Sequence, residues 1–284
     1  MAVRVNPVWL VLLAILSVQL GAGMAKRLFD EVDPTTVVWL RLAVSAVLIT
    51  MWARPALRGR SRTDWLVACA FGLSLAVMNW SLYQSLSRIP LGLAVTIEFI
   101  GPLSLAVAGS RRPIDLLWVA LAAGGVGLLG LEGGGLDVVG VLFALLAGAA
   151  WASYILLSGQ TGRCWAGLDG LAVASVVGAV LVSPLLLGGH AGELASTHVI
   201  ATGVLVGLLS SVVPYAAEIV ALRRLAPSVF AILMSLEPAA AALVGMVVVL
   251  ETLAPREWLA IGCVVSASIG ATRARRVLDE PAPV

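Results

Sequence analysis

Apolar runs of roughly bilayer-spanning length follow one another from end to end of the chain, separated only by short polar joints, and this repetition decides the fold class. A transmembrane helix needs about 17 to 25 predominantly apolar residues. Cutting the sequence at its charged and proline-bearing joints gives ten such segments, near residues 7–27, 35–53, 65–86, 91–110, 115–131, 138–158, 168–187, 199–222, 228–250 and 257–272. The segment at 115–131 is short and broken by glycines. Charged residues make up only 12% of the chain and its mean hydropathy is +1.03, against about 25% charged in an ordinary soluble domain. The expectation is therefore an all-α polytopic membrane protein. The N-terminal stretch "MAVRVNPVWLVLLAILSVQLGAGMAK" has the basic start of a signal peptide, but its apolar run is long for one and is taken as the first membrane helix.

The positions of lysine and arginine set the expected orientation, because cytoplasmic joints carry the excess of both. Thirteen arginines fall on the side of the N-terminus: Arg4, Arg54, Arg58, Arg60, Arg62, Arg111, Arg112, Arg163, Arg223, Arg224, Arg273, Arg275 and Arg276. The opposite side has Lys26, Arg27, Arg88 and Arg256, and Arg41 lies within a helix. Both termini are expected in the cytoplasm.

A gapless internal match reinforces this topology. "LSRIPLGLAVTIEFIGP" (86–102) aligns with "LRRLAPSVFAILMSLEP" (222–238), and "RPIDLLWVAL" resembles "APREWLAIGC" with proline and an acidic residue in register. Five helices per half is an odd number, so the second half enters the membrane from the opposite face. The chain reads as two inverted five-helix repeats, residues 1–133 and 134–272, with a tail at 273–284. Inverted repeats are a transporter pattern, with the binding site near the midplane between them.

Charges inside the hydrocarbon are costly, about 2.5 to 3.5 kcal/mol each on translocon scales, and therefore informative. Arg41, Glu98, Glu218 and Glu237 stand well within predicted helices. Arg41 and Glu98 each lie roughly 10 Å below the outer face at the 1.5 Å rise of a helix. Two readings stay open: a salt bridge between them, or an arginine for a substrate carboxylate and a glutamate for its ammonium. Glu237 lies near the midplane; a buried carboxyl group without a partner favours its protonated form, which makes Glu237 a candidate proton carrier, the alternative being a brace for the turn at Pro238. Glu218 sits one turn from Arg223 and reads as snorkelling to the cytoplasm, as Lys26 and Arg27 do to the outer face. Pro102, Pro214 and Pro238 each remove a backbone hydrogen bond within a helix, which lipid tolerates only where protein or water supplies another partner. Pro102 and Pro238 are equivalent in the internal match. Asn79, Tyr83 and Gln84, then Trp151, Tyr154 and Gln160, then Tyr215 are further polar candidates for the same cavity.

Other features carry less. Cys69 and Cys263 in apolar segments and Cys164 in a joint suggest neither a disulfide framework nor a metal site; His190 and His198 read as solvated joint residues. Trp9, Trp39, Trp65 and Trp258 suit interfacial anchoring. "GVGLLG" (125–130) has dinucleotide-like spacing but lies mid-membrane, where its glycines, with Gly203 and Gly207, read as helix-packing surfaces. The sequence has no H-E-x-x-H, G-x-S-x-G or Walker pattern, so no cofactor, metal, nucleic acid or catalytic role is expected.

The stretch "PLGLAVTIEFIGPLSLAVAGSRRPIDLLWV" resembles the bacterial threonine/homoserine exporters of the drug/metabolite transporter superfamily, as do "SVQLGAGMAKRLF", "LRLAV", "AGAAWASYILLSGQ", "VVPYAAEIVALRRL" and "LMSLEPAAAALVGMVVVLETL". The resemblance implies ten helices in two EamA-type repeats and an inner-membrane exporter of small neutral amino acids driven by proton antiport. By motif it implies roles for Arg41 in L-R-L, Glu98 in E-F-x-G-P-L, and Glu237 with Pro238 in M-S-x-E-P-A. The expected partners are a small-molecule substrate, protons and the lipid bilayer, and a homodimer is compatible with this picture. A carrier of a different metabolite and a membrane sensor without transport are the alternatives; short joints and the absence of a soluble domain weigh against the sensor.

Overall fold

The computed structural model describes residues 6–108, 113–130, 137–222, 224–225 and 227–279. Its helices are α1 (Pro7–Leu28), α2 (Pro34–Ala53), α3 (Arg62–Leu86), α4 (Leu91–Glu98), α5 (Ile100–Ala108), α6 (Pro113–Gly130), α7 (Val138–Cys164), α8 (Asp169–Leu187), α9 (Thr197–Gly207), α10 (Val213–Leu222), α11 (Pro227–Met234), α12 (Glu237–Val244) and α13 (Pro255–Asp279). The pairs α4/α5, α9/α10 and α11/α12 are each one crossing interrupted mid-way, so the helices group into ten segments, and no strand occurs among the described residues. Seven segments have the length and hydropathy of full membrane spans, and Leu91–Leu105 and Leu116–Val126 are shorter apolar stretches. The long helices turn leucine and valine outward, as at Leu66, Leu187 and Val247. Hydrocarbon contact requires such a surface.

Helix starts follow local capping chemistry. Asn6, Asp33, Asp137 and Ser196 accept backbone N–H bonds as N-caps, and Ser61 with Asp64 forms a reciprocal capping box. α7 runs on to Cys164, which therefore ends a helix instead of occupying the joint expected of it.

The packing is symmetric under exchange of the first five crossings with the last five. α2 packs on α8, α6 on α13, and α4 on α12, each a crossing against its counterpart. α3 packs on α7 as α1 does on α10, and α3 on α8 as α2 does on α9. The eight-residue helices α4 and α11 coincide end for end in the alignment of 86–102 with 222–238. Without a hydrophobic force between helices in lipid, close packing of small residues does the work. A Cβ on Gly101 would overlap the Gly148 carbonyl, one on Gly148 would lie 2.5 Å from the Glu98 carbonyl, and one on Gly92 would lie 2.7 Å from the Ala242 backbone. Gly203 and Gly207 abut Leu40 and Val44 of α2, and Gly125 abuts Cys263, as the packing reading requires.

Candidate functional site

The interrupted helices surround a cavity of about 430 Å³, walled also by α1, α2, α3, α7 and α13. Each interruption places a functional group on that wall. α4 ends at Glu98, and Pro102, four residues on, cannot donate to the Glu98 carbonyl. Glu98 is 6% exposed and opens on the cavity. α12 starts at Glu237 with Pro238 behind it, and Glu237 lines the cavity as well. Beside this break the Ser235 and Ser268 hydroxyls lie 2.7 Å apart, tying α11 to α13. Pro102 and Pro214 line the cavity themselves, whereas Pro238 only shapes the turn.

The break before α10 explains how Arg41 is held. Residues Leu208–Val212 form a π-helical turn, and Pro214 follows it without an N–H. The carbonyls of Leu209 and Ser210 are thus available to other donors. Ser17 Oγ donates to the first at 2.7 Å, and Arg41 Nη2 donates to the second at 3.3 Å. Arg41 Nη1 donates to the Tyr83 hydroxyl at 3.3 Å, and its guanidinium stacks 5.6 Å from the Tyr83 ring centre.

This geometry corrects several expectations. Among the described residues no carboxylate comes within 4.0 Å of the Arg41 guanidinium, so the Arg41–Glu98 salt bridge does not form. Equal depth along two helices does not fix which way they face, and both groups face the cavity. Tyr83 is fully buried behind Arg41 and does not line the cavity. Gln84 donates to Thr35 at 3.4 Å, and Gln160 is exposed, so neither belongs to the wall. Glu218 lines the cavity instead of snorkelling, and Arg223 lies outside the described residues. Arg4, Arg111 and Arg112 of the orientation count lie outside them too, as do the side chains of Arg273, Arg275 and Arg276. His190 and His198 keep solvent-accessible side chains as expected, His190 with Glu193 at 3.1 Å and His198 with Glu31 at 3.7 Å.

Asn79, Trp151, Tyr154 and Tyr215 lie on the wall as expected. The Tyr154 and Tyr215 hydroxyls are 3.5 Å apart, and Trp151 meets Phe99 edge-on at 5.4 Å. Gln19 of α1 and Ser210 line it as well, unforeseen from the sequence. A glutamine amid "SVQLGAG" was a legible signal, since a mid-membrane amide needs a partner just as a charge does.

Away from the cavity lining, three chain segments are clasped together. Lys26 does not snorkel: its ammonium meets Glu251 Oε1 at 2.6 Å and donates to the Ile89 carbonyl at 2.6 Å. Glu251 Oε2 in turn accepts the Leu91 N–H at 2.9 Å. This clasp joins the ends of α1, α4 and the π-turn Gly245–Val249. Ser268, Ala271 and Thr272 extend the cavity lining along α13.

Residues 138–273 match the EamA-like transporter family. The chain is 40% identical to "Threonine/homoserine exporter RhtA" of Escherichia coli (strain K12) over 95% of its own length and 94% of that protein. It is 38% identical to the protein of the same name in Salmonella typhimurium (strain LT2), over 95% and 93%, and 29% identical to "Uncharacterized transporter YwfM" of Bacillus subtilis, over 78% of each. A crystal structure 19% identical in sequence shares the fold, with a TM-score of 0.64 over 96% of this chain and 99% of that one.

Proposed function

The chain belongs to the EamA-like transporter family, and from that premise we propose that it exports small neutral amino acids, threonine and homoserine, across the inner membrane by alternating access coupled to protons. The observation that carries the substrate class is the near full-length likeness to exporters of those two amino acids. The cavity supplies fitting chemistry: the Arg41 guanidinium and the carboxyl groups of Glu98, Glu218 and Glu237 are among its described lining residues. Arg41, held by Tyr83 and the Ser210 carbonyl and paired with no carboxylate among the described residues, receives the substrate carboxylate as a fork. Glu98 takes the ammonium, Asn79, Tyr154 and Tyr215 complete the wall, and Tyr83 positions Arg41. Glu98 and Glu237 exchange the coupled proton. Residues 1–133 and 134–272 rock against each other about this site as inverted units, with both termini and the 273–284 tail in the cytoplasm.

The test is efflux of labelled threonine and homoserine from proteoliposomes carrying wild type or Glu98→Gln, with and without an imposed pH gradient. Gradient-dependent efflux in the wild type that collapses in the variant is expected. No efflux of either amino acid from folded protein would overturn the substrate class.

The excess of carboxyl groups over guanidinium favours a second reading, a carrier of a cationic metabolite. Under it, Arg41→Gln would spare transport while Glu98→Gln abolished it.

A further inference from the structure

Two amide oxygens on the cavity wall are buried and have no partner. Asn79 is 2% exposed, and its Nδ2 donates to the Leu75 carbonyl of its own helix at 2.8 Å, which fixes the amide and leaves Oδ1 unpaired. Gln19, also 2% exposed, has an unpaired Oε1. A buried acceptor left without a donor is destabilising, and both residues line the same cavity. A ligand that brings a hydrogen-bond donor relieves them.

We propose that Gln19 and Asn79 form the subsite that reads the side-chain hydroxyl of the transported amino acid, an inference that rests on the amino-acid reading above. The substrate ammonium has better partners in the same cavity, because hydrogen bonds to carboxylates are about twice as strong as those to neutral oxygens. The donor left over in a small neutral amino acid is its hydroxyl. Position agrees. Asn79 precedes Tyr83 by four residues, about 6 Å along α3, and Tyr83 holds Arg41. A carboxylate seated on Arg41 therefore places a hydroxyl three or four bonds from the carboxylate carbon within reach of this part of the wall. With two acceptors on different helices, α1 and α3, the subsite accommodates a hydroxyl on either the first or the second side-chain carbon. A substrate with a methylene there leaves both oxygens unpaired.

The experiment is efflux of threonine and of 2-aminobutyrate, which differs from it only by the missing hydroxyl, measured in proteoliposomes with wild type, Asn79→Leu and Gln19→Met. The wild type should prefer threonine about tenfold, the equivalent of about 1.4 kcal/mol. Each variant should bring that preference toward one, threonine efflux falling further than 2-aminobutyrate efflux. Equal export of both compounds by the wild type would overturn the subsite and leave the amino-acid exporter standing, as would variants that lose both substrates in proportion. Export of neither compound by folded wild type would overturn the amino-acid reading itself.

Discussion

The clasp of Lys26 and Glu251 yields the sharpest prediction. Both side chains are mostly buried, at 16% and 13% exposure, and each also bonds backbone at the start of α4, through the Ile89 carbonyl and the Leu91 N–H. Removing one partner of a buried, hydrogen-bonded pair costs about 3 to 5 kcal/mol, whereas removing both is far cheaper. Partial exposure argues for about 3 kcal/mol, the lower end of that range. These contacts join the start of α4 to α1 and to the segment after the π-turn, so under alternating access Lys26→Met loosens the conformer in which they are made. A shift of about 3 kcal/mol is more than a hundredfold, enough to bring a conformer held at about 1% to near-equal population. The assay replaces Cys69, Cys164 and Cys263 by alanine, places a single cysteine at Ala22 on the cavity wall, and labels it with a membrane-impermeant maleimide from the clasp side. Labelling should be slow in this background and rise steeply with Lys26→Met, while Lys26→Met with Glu251→Gln should return much of the way. Unchanged labelling in Lys26→Met, in protein that stays folded, would refute the reasoning.

Arg41→Lys keeps the charge but loses the fork, so threonine efflux should fall at least about tenfold with little change in melting temperature. Exchanging Arg41→Glu with Glu98→Arg should not restore efflux, because the two groups form no ion pair; recovery would reinstate the salt bridge. Gly148→Ala drives a methyl against the Glu98 carbonyl, and overpacking of about 1 to 3 kcal/mol should lower the melting temperature in detergent. Pro214→Ala returns an N–H to the π-turn. That donor competes with Ser17 and Arg41 for the freed carbonyls, so stability should hold or rise while efflux drops, both read on the same preparation.

Length and hydropathy made ten crossings legible, because a membrane helix is specified by an apolar run that charge and proline interrupt. The breaks at Pro102 and Pro238 were legible for the same reason: a missing N–H in lipid must be compensated. What the sequence concealed was azimuth. Depth along a helix follows from counting residues at a fixed rise, but the direction a side chain faces depends on how helices rotate against one another. Small residues such as Gly101, Gly148 and Gly203 set that rotation, and their contacts emerge only in three dimensions. Of the two readings open for Arg41, the ion pair with Glu98 is therefore the one that its orientation leaves out. The π-turn at Leu208–Val212 adds a second reason: one residue beyond α-helical spacing reorients everything after it, and Pro214 announces a break without saying which donors will fill it. Those donors, Ser17 and Arg41, come from two other helices. The carbonyls left bare by one proline therefore help determine where the Arg41 guanidinium stands, so a helix defect and a cavity-lining cation are here one structural unit.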